Sequence, residues 1–496
     1  MLTGTAFGDS RLSLWLRVRE VAVPPLMIRT ATARRTAGDW AGACAAAGFD
    51  VDLDLRSVSR VHGSDTAARL RADLRRLAPD LLRWHMPRTA PDGFLRPGAT
   101  LVLARYDEPG RSRPVHLVAR TAPAWAEAGQ RISLAVWDGP VPPGRESGPR
   151  GYRVPDRRFR MDLHRHLWDA GRSGELRGRS RAGAAPSGER RAPLPAWAAS
   201  VPDPARFALD GWAAEAALLL STEGRPGGGP VSVRLGARRR LVLDVRPSPL
   251  APGADDGAPE VRSARLARAG ACVGLPVLPD AATWVLPDLE LLRGGWIAAD
   301  RLHPLVAAAL APGTPASGPG TDRGTYADSG SVSAPDSGSG SAPDSVPDDR
   351  AVPRVVDCRG DRHRIGLVDG VLVPLDHDPA EIRREELLAA LTGTPLPCLQ
   401  VIDAAHRRPD CLTDVRDRLA HGDSAGALAR VESTLGAGAL LRDGDLRDAL
   451  LDAARRRVGH GLFRAGLAGP APLREPPRTP SRPETHRSRP RQAASR

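Results

Sequence analysis

From about Ala311 to Arg350 the chain turns to Gly, Ser, Pro and Asp, repeating SAPDS at Ser333–Ser337 and Ser341–Ser345. Such a stretch buries too little apolar surface to offset the entropy of ordering it, so a flexible linker is expected. It holds 6 Asp against 2 Arg and separates a long N-terminal region from a shorter C-terminal block. At 496 residues there is enough chain on both sides for sizeable cores.

Two zeros narrow the chemistry. The chain has no Lys and no Asn, so all 71 basic residues are Arg. A Walker-A lysine, a Schiff-base lysine and a kinase strand lysine are excluded. So are a Cys-His-Asn triad and an adenine-reading Asn. No cofactor-binding motif is found: Gly227-Gly228-Gly229 lacks both the Gly-x-Gly-x-x-Gly pattern and a following helix signal.

The net charge of +13 is concentrated. Arg145 to Arg191 carries 13 Arg against 6 acids, and Ala471 to Arg496 carries 7 against 2, so the remainder is nearly neutral. Both stretches are rich in Gly, Pro and Ser and read as a solvated loop and tail. Nucleic acid is the alternative partner for them, although stacking aromatics are not interleaved there. The odd number of widely spread cysteines, five, fits reduced thiols, and no apolar run is long enough to span a membrane. Arg17, Arg19 and Glu20 interrupt the apolar start before a signal peptide could form, so the expected location is cytoplasmic.

Patterning gives an α+β fold class. Leu12, Leu14, Leu16 and Val18 alternate with Ser13, Trp15, Arg17 and Arg19, a period-two strand pattern. A short helix is expected over Gly38 to Ala47, and a longer one from Ser64 with Leu70, Leu74 and Leu77 on one face, ended by Pro79. Leu101–Tyr106, Val115–Arg120 and Ile132–Trp137 read as short strands. Further on, Gly211–Ser221 reads as a helix and Val231–Leu235 with Leu241–Val245 as a hairpin. The apolar segment from Cys272 to Leu292 reads as buried strands. In the C-terminal block Asp369-Gly370 marks a two-residue hairpin turn, and Asp378-Pro379-Ala380-Glu381 a helix start. Stripes at Leu412/Val415/Leu419, Leu428/Val431/Leu435 and Leu446/Leu450 give a small antiparallel helical array. The expected organisation is therefore an α+β subdomain at 1–144, an Arg-rich loop or insert at 145–195 and a second α+β subdomain at 196–310. The linker (311–350), a β-hairpin plus helical module (351–470) and a disordered basic tail (471–496) follow.

Four constellations invite a chemical reading. Phe7-Gly8-Asp9-Ser10 resembles the nucleophile block of GDSL-type serine hydrolases, and Asp300-Arg301-Leu302-His303 their late Asp-x-x-His block. That resemblance implies Ser10 as nucleophile, His303 as general base and Asp300 as its partner. It covers about ten residues, and the family's Asn oxyanion donor has no counterpart in a chain without Asn. Gly422-Asp423-Ser424-Ala425-Gly426 fits Gly-x-Ser-x-Gly, but a helical stripe precedes it where an elbow needs a strand, so Ser424 reads as a helix cap. Asp162, His164 and His166 sit among Arg157, Arg158, Arg160 and Arg165, which repel a cation, and are expected as exposed residues. Cys358, His363, Cys398, His406 and Cys411 match no standard zinc spacing and read as buried thiols beside surface histidines, so no metal ligand is assigned. The resulting expectation is a non-catalytic protein–protein interaction or regulatory protein with an unidentified protein partner. The alternatives are a nucleic-acid-associated protein using its Arg-rich segments and a divergent GDSL-like hydrolase.

Overall fold

The computed structural model describes residues 5–107, 113–127, 129–139, 154–182, 196–246, 259–312, 354–358, 360–393 and 395–468. All but the first two residues of the expected linker, and the whole expected tail, lie outside them. The fold is mixed α and β.

The chain begins with helix α1 (Thr5–Arg17), continued by a π-helical turn at Val18–Ala22. The alternation around Leu12 to Val18 predicts a strand; the helix forms instead because Leu14, Trp15, Val18 and Ala22 also share a helical face, and it is that face that packs. Helices α2 (Pro25–Thr36) and α3 (Trp40–Ala46) follow, the second capped by Asp39, whose carboxylate accepts from the Gly42 N–H. After strand β1 (Phe49–Asp52), Asp54 caps helix α4 (Leu55–His62) and helix α5 (Ser64–Arg76) buries Leu70 and Leu74. Pro79 sits after α5 and also opens α6 (Pro79–His85), the helix position where a missing N–H costs nothing.

A minimal hairpin, β2 (Arg88–Thr89) with β3 (Phe94–Leu95), leads to β4 (Thr100–Tyr106), β5 (Val115–Thr121) and β6 (Ile132–Trp137). The last three are the expected strands and run antiparallel, and β1 adds to β6 in parallel, giving the order β1-β6-β5-β4. Helices α5 and α6 and the α1 face cover this sheet over a core that includes Leu74, Leu81, Leu101 and Leu117.

The Arg-rich segment read as a solvated loop is, in its described part, core. Phe159, Met161, Leu167, Trp168 and Leu176, the last opening α7 (Leu176–Arg179), are buried with the N-terminal sheet. The arginines between them are committed to acids: Arg160 to Asp162 at 2.8 Å, Arg179 to Glu215 at 2.6 Å, and Arg165 to Asp73 and Asp169. Composition hid this because five well-spaced apolar anchors suffice to pull the segment inward once its charges are paired.

Helix α8 (Trp212–Thr222) packs on a three-stranded antiparallel sheet of β7 (Gly229–Arg234), β8 (Arg239–Arg246) and β9 (Glu260–Arg268). The segment from Cys272 to Leu292 forms short helices α9 (Asp280–Thr283) and α10 (Pro287–Arg293), not the expected buried strands. Its prolines cannot donate to a ladder, but Pro287 fits the first turn of α10. Helix α11 (Pro304–Leu310) then returns Val306 to the first core.

In the C-terminal block, β10 (Arg354–Cys358), β11 (Asp361–Val368) and β12 (Val371–Pro374) form an antiparallel sheet. Asp369 and Gly370 make the expected turn with φ of 47° and 78°, the left-handed pair that a two-residue hairpin needs. Helices α12 (Pro379–Thr392), α13 (Pro397–Arg407), α14 (Leu412–His421), α15 (Ser424–Leu435) and α16 (Asp445–Arg464) complete the block. Leu412, Val415, Leu419, Val431, Leu435 and Leu446 are buried as expected, but Leu428 is 50% exposed; the smaller Ala427 faces the core instead. Asp423, not Ser424, caps α15, accepting from the Gly426 N–H at 2.9 Å.

Candidate metal centre

Cys358 ends β10, and Gly360, at φ 95°, turns the chain into β11, where His363 pairs across from Val356. Because Cys358 pairs with Asp361, Cys358 and His363 share one face of the hairpin, offset by two residues. His377 follows β12, immediately before the Asp378 cap of α12, and Cys398 is the second residue of α13. These elements bring one ligand atom from each of Cys358, His363, His377 and Cys398 within 4.8 Å of one another. Cys398 Sγ lies 3.9 Å from His363 Nδ1, and the two imidazoles meet edge to face with centroids 4.0 Å apart. A tetrahedral zinc with bonds of about 2.0–2.3 Å has ligand–ligand edges of about 3.3–3.8 Å, so closing the set needs only a small inward shift.

The surroundings fit such an ion. His377 Nδ1 lies 3.4 Å from Glu381 Oε2, on the first turn of α12, while its Nε2 is buried without a hydrogen-bond partner. A carboxylate at Nδ1 fixes the proton there and leaves Nε2 as a lone pair available to an ion, the arrangement found behind metal-bound imidazoles. Cys358 and Cys398 are fully buried, and burial, then the neighbouring Cys358 thiol, pushes the Cys398 thiol up to about 11. A bound cation reverses that preference by stabilising thiolate, so metal uptake releases protons. Two cysteines and two histidines closing all four positions make a structural rather than a catalytic zinc set.

Of the residues singled out in sequence, Cys358, His363 and Cys398 come together here, with His377 as the fourth member. His406 and Cys411 do not join them; both are buried in the helical part. His377 carries no sequence signal because its placement is three-dimensional: the hairpin turn at Asp369-Gly370 folds it back beside His363.

Ser10 lies on α1, not at the end of a strand. Asp300 is exposed in a 3-10 turn and makes no hydrogen bond to His303 among the described residues. His303 is buried; its Nδ1 accepts from the Leu305 N–H at 3.2 Å and its Nε2 lies 3.0 Å from Asp80 Oδ2. With Nδ1 accepting, Nε2 carries the proton and donates to Asp80, so neither nitrogen is free to take a proton from a serine. His164 and His166 are buried rather than exposed. Burial first and Arg179 second hold His164 down to about 3, and Asp162 is engaged by Arg160.

Comparison with protein-family models, curated proteins and solved structures finds no match.

Proposed function

We propose that this is a non-catalytic interaction or regulatory protein whose C-terminal module presents helix α12 to a protein partner from a metal-pinned base. One observation carries the reading. Helix α12 has no buried residue although it is 14 residues long, and it exposes Leu387 and Leu391, at 69% and 86%, one turn apart. The cluster flanks it on both sides, His377 before and Cys398 after, with Glu381 of α12 itself holding His377. A metal there fixes the orientation of a helix whose own packing does not. The commitments of His303 support a non-catalytic reading over a hydrolase, and the paired arginines of 158–179 support it over nucleic acid. Among the described residues no single helix is long and apolar enough to cross a membrane, and all five cysteines are free. Thiols kept reduced for metal suit the cytoplasm.

The test compares full-length bait proteins. A partner retained by the native chain is expected to be lost both from Leu387→Asp/Leu391→Asp, which keeps its zinc, and from Cys358→Ser/Cys398→Ser, which does not. Retention of the same partner by both variants would overturn the proposal.

A further inference from the structure

A second site lies where the C-terminal helices meet the N-terminal body. A cleft of about 390 Å³ opens between α2, α3 and α6 on one side and α14, α15 and α16 on the other, and it shares no residue with the metal cluster. Four arginines line it: Arg83, Arg131, Arg456 and Arg457.

Their charges are unequally balanced. Arg131 is bidentate to Asp50, with bonds of 2.6 and 3.0 Å. Arg456 and Arg457, neighbours on α16, have no acidic partner among the described residues. Arg83 is 1% exposed and donates only to carbonyls: Nε to Ala22, one terminal nitrogen to Gln130 at 2.6 Å, the other to His421 at 2.8 Å. A guanidinium has five N–H groups, so two of its donors remain, and no carboxylate pairs with it. Gly48, with positive φ, keeps a side chain off it: a Cβ there would stand 3.3 Å from a terminal nitrogen, whereas Gly422 is held free of a side chain by the Gly129 carbonyl, 2.0 Å from where its Cβ would be. The only acid on the wall, Asp423, is already occupied by the Gly426 N–H and by Arg418.

The rest of the wall is largely aliphatic, including Leu26, Met27, Ala46 and Leu419, with the hydroxyls of Thr30 and Ser424 and no aromatic ring to stack on a base. The volume is that of a small-molecule site, and clustered guanidinium forks match phosphate oxygens. We propose that this cleft binds a small phosphate ester or diphosphate with an aliphatic organic portion, and that the bound anion clamps α14–α16 onto the N-terminal body. Arg83 grips from the body and Arg456 and Arg457 from α16, so the ligand bridges parts of the chain separated by the linker region.

The experiment is calorimetric titration of the full-length protein with inorganic pyrophosphate and with a short alkyl diphosphate. Saturable one-to-one binding is expected for both, tighter for the alkyl compound. Since Arg83→Met endangers folding, the decisive variant is the exposed pair Arg456→Gln/Arg457→Gln, expected to weaken both ligands about tenfold or more. Arg262→Gln/Arg265→Gln, an equal charge change on exposed β9, is expected to leave them unchanged. The proposal is overturned by no saturable binding at about millimolar ligand, by equal losses in the two double variants, or by RNA binding tighter than either diphosphate with a steep salt slope.

Discussion

The N-terminal body and the hairpin that carries the candidate metal cluster are built from different materials. The body buries a continuous apolar core and can even hide a charged pair in it: Arg19 and Asp288, both essentially inaccessible, meet at 2.7 Å, and Trp84 Nε1 donates to the same carboxylate. Around the hairpin and α12 the described residues bury little: a small cluster of Cys358, Leu396 and Cys398, and Ile365 on β11. Where apolar surface is scarce, a cation held by the four clustered ligands would replace it. Stability in the first region should therefore respond to volume and charge burial, and in the second to metal supply.

The sharpest way to break that contrast is to remove the metal. Cys398→Ala, or chelation of the native chain, is expected to unfold the β10–β12 hairpin and release α12, since structural zinc contributes about 10–16 kcal/mol of apparent binding energy. All ten tryptophans precede the linker, so their fluorescence should not change while hydrogen exchange over 354–398 accelerates. A simultaneous loss of tryptophan signal would show that the two regions do not fold independently.

Next in size comes the buried pair. Asp288→Ala leaves Arg19 charged in the core and is expected to cost the body about 3–5 kcal/mol in urea unfolding followed by fluorescence. Replacing both, Arg19→Met with Asp288→Leu, should recover most of the loss, and failure to recover would mean that Trp84 and the backbone depend on that carboxylate.

Acid should act on the body through its histidines. Burial holds His85 down to about 4, against a partial opposing pull from Asp288, and His164 down to about 3. The unfolded chain, with histidine near its ordinary 6.5, binds more protons in between. Stability is therefore complete above about pH 6.5 and falls as pH drops toward 4, by about 1.4 kcal/mol per unit per histidine. Unfolding at pH 7 and pH 5 measures it, and His164→Gln should shrink the difference by about 2 kcal/mol.

The smallest effects lie in the helices beyond the metal-ligand cluster. Asp423→Ala should cost about 0.5–2 kcal/mol as a lost cap, whereas Ser424→Ala should cost less because the serine caps nothing. Leu428→Ala is expected to stay within about 0.5 kcal/mol, unlike buried Leu435 in the same helix. Circular dichroism melts of zinc-loaded protein distinguish these.

Local signals were the legible ones. The strands β4, β5 and β6, the Asp369-Gly370 turn and the Asp378 helix start are all encoded within a few residues, where alternation, φ preference and capping act. The α1 helix is not legible as a helix because its apolar-rich stretch satisfies periods of both two and four. The core role of 154–182 was hidden by arginines whose acid partners, such as Asp73, Glu215 and Asp280, lie far away in sequence. The candidate metal cluster is half legible: three of its members stand out in sequence, but their spacing is set by a hairpin and a whole helix lying between ligands, which no short pattern encodes.

The far end of α16 bears on how the protein keeps from sticking to itself. Strand β1 is an outer strand of its sheet, and Arg464 reaches both Asp50 and Asp52 on it, while His460 joins Asp50 and Phe463 inserts beside Ala122 and Ala126. An outer strand offers unpaired backbone groups to any passing chain, and here a helix from the far side of the linker is fastened along it. Shortening the chain before Arg464 would strip that guard from β1, and the N-terminal body would then be the part that aggregates, although none of its own residues had changed.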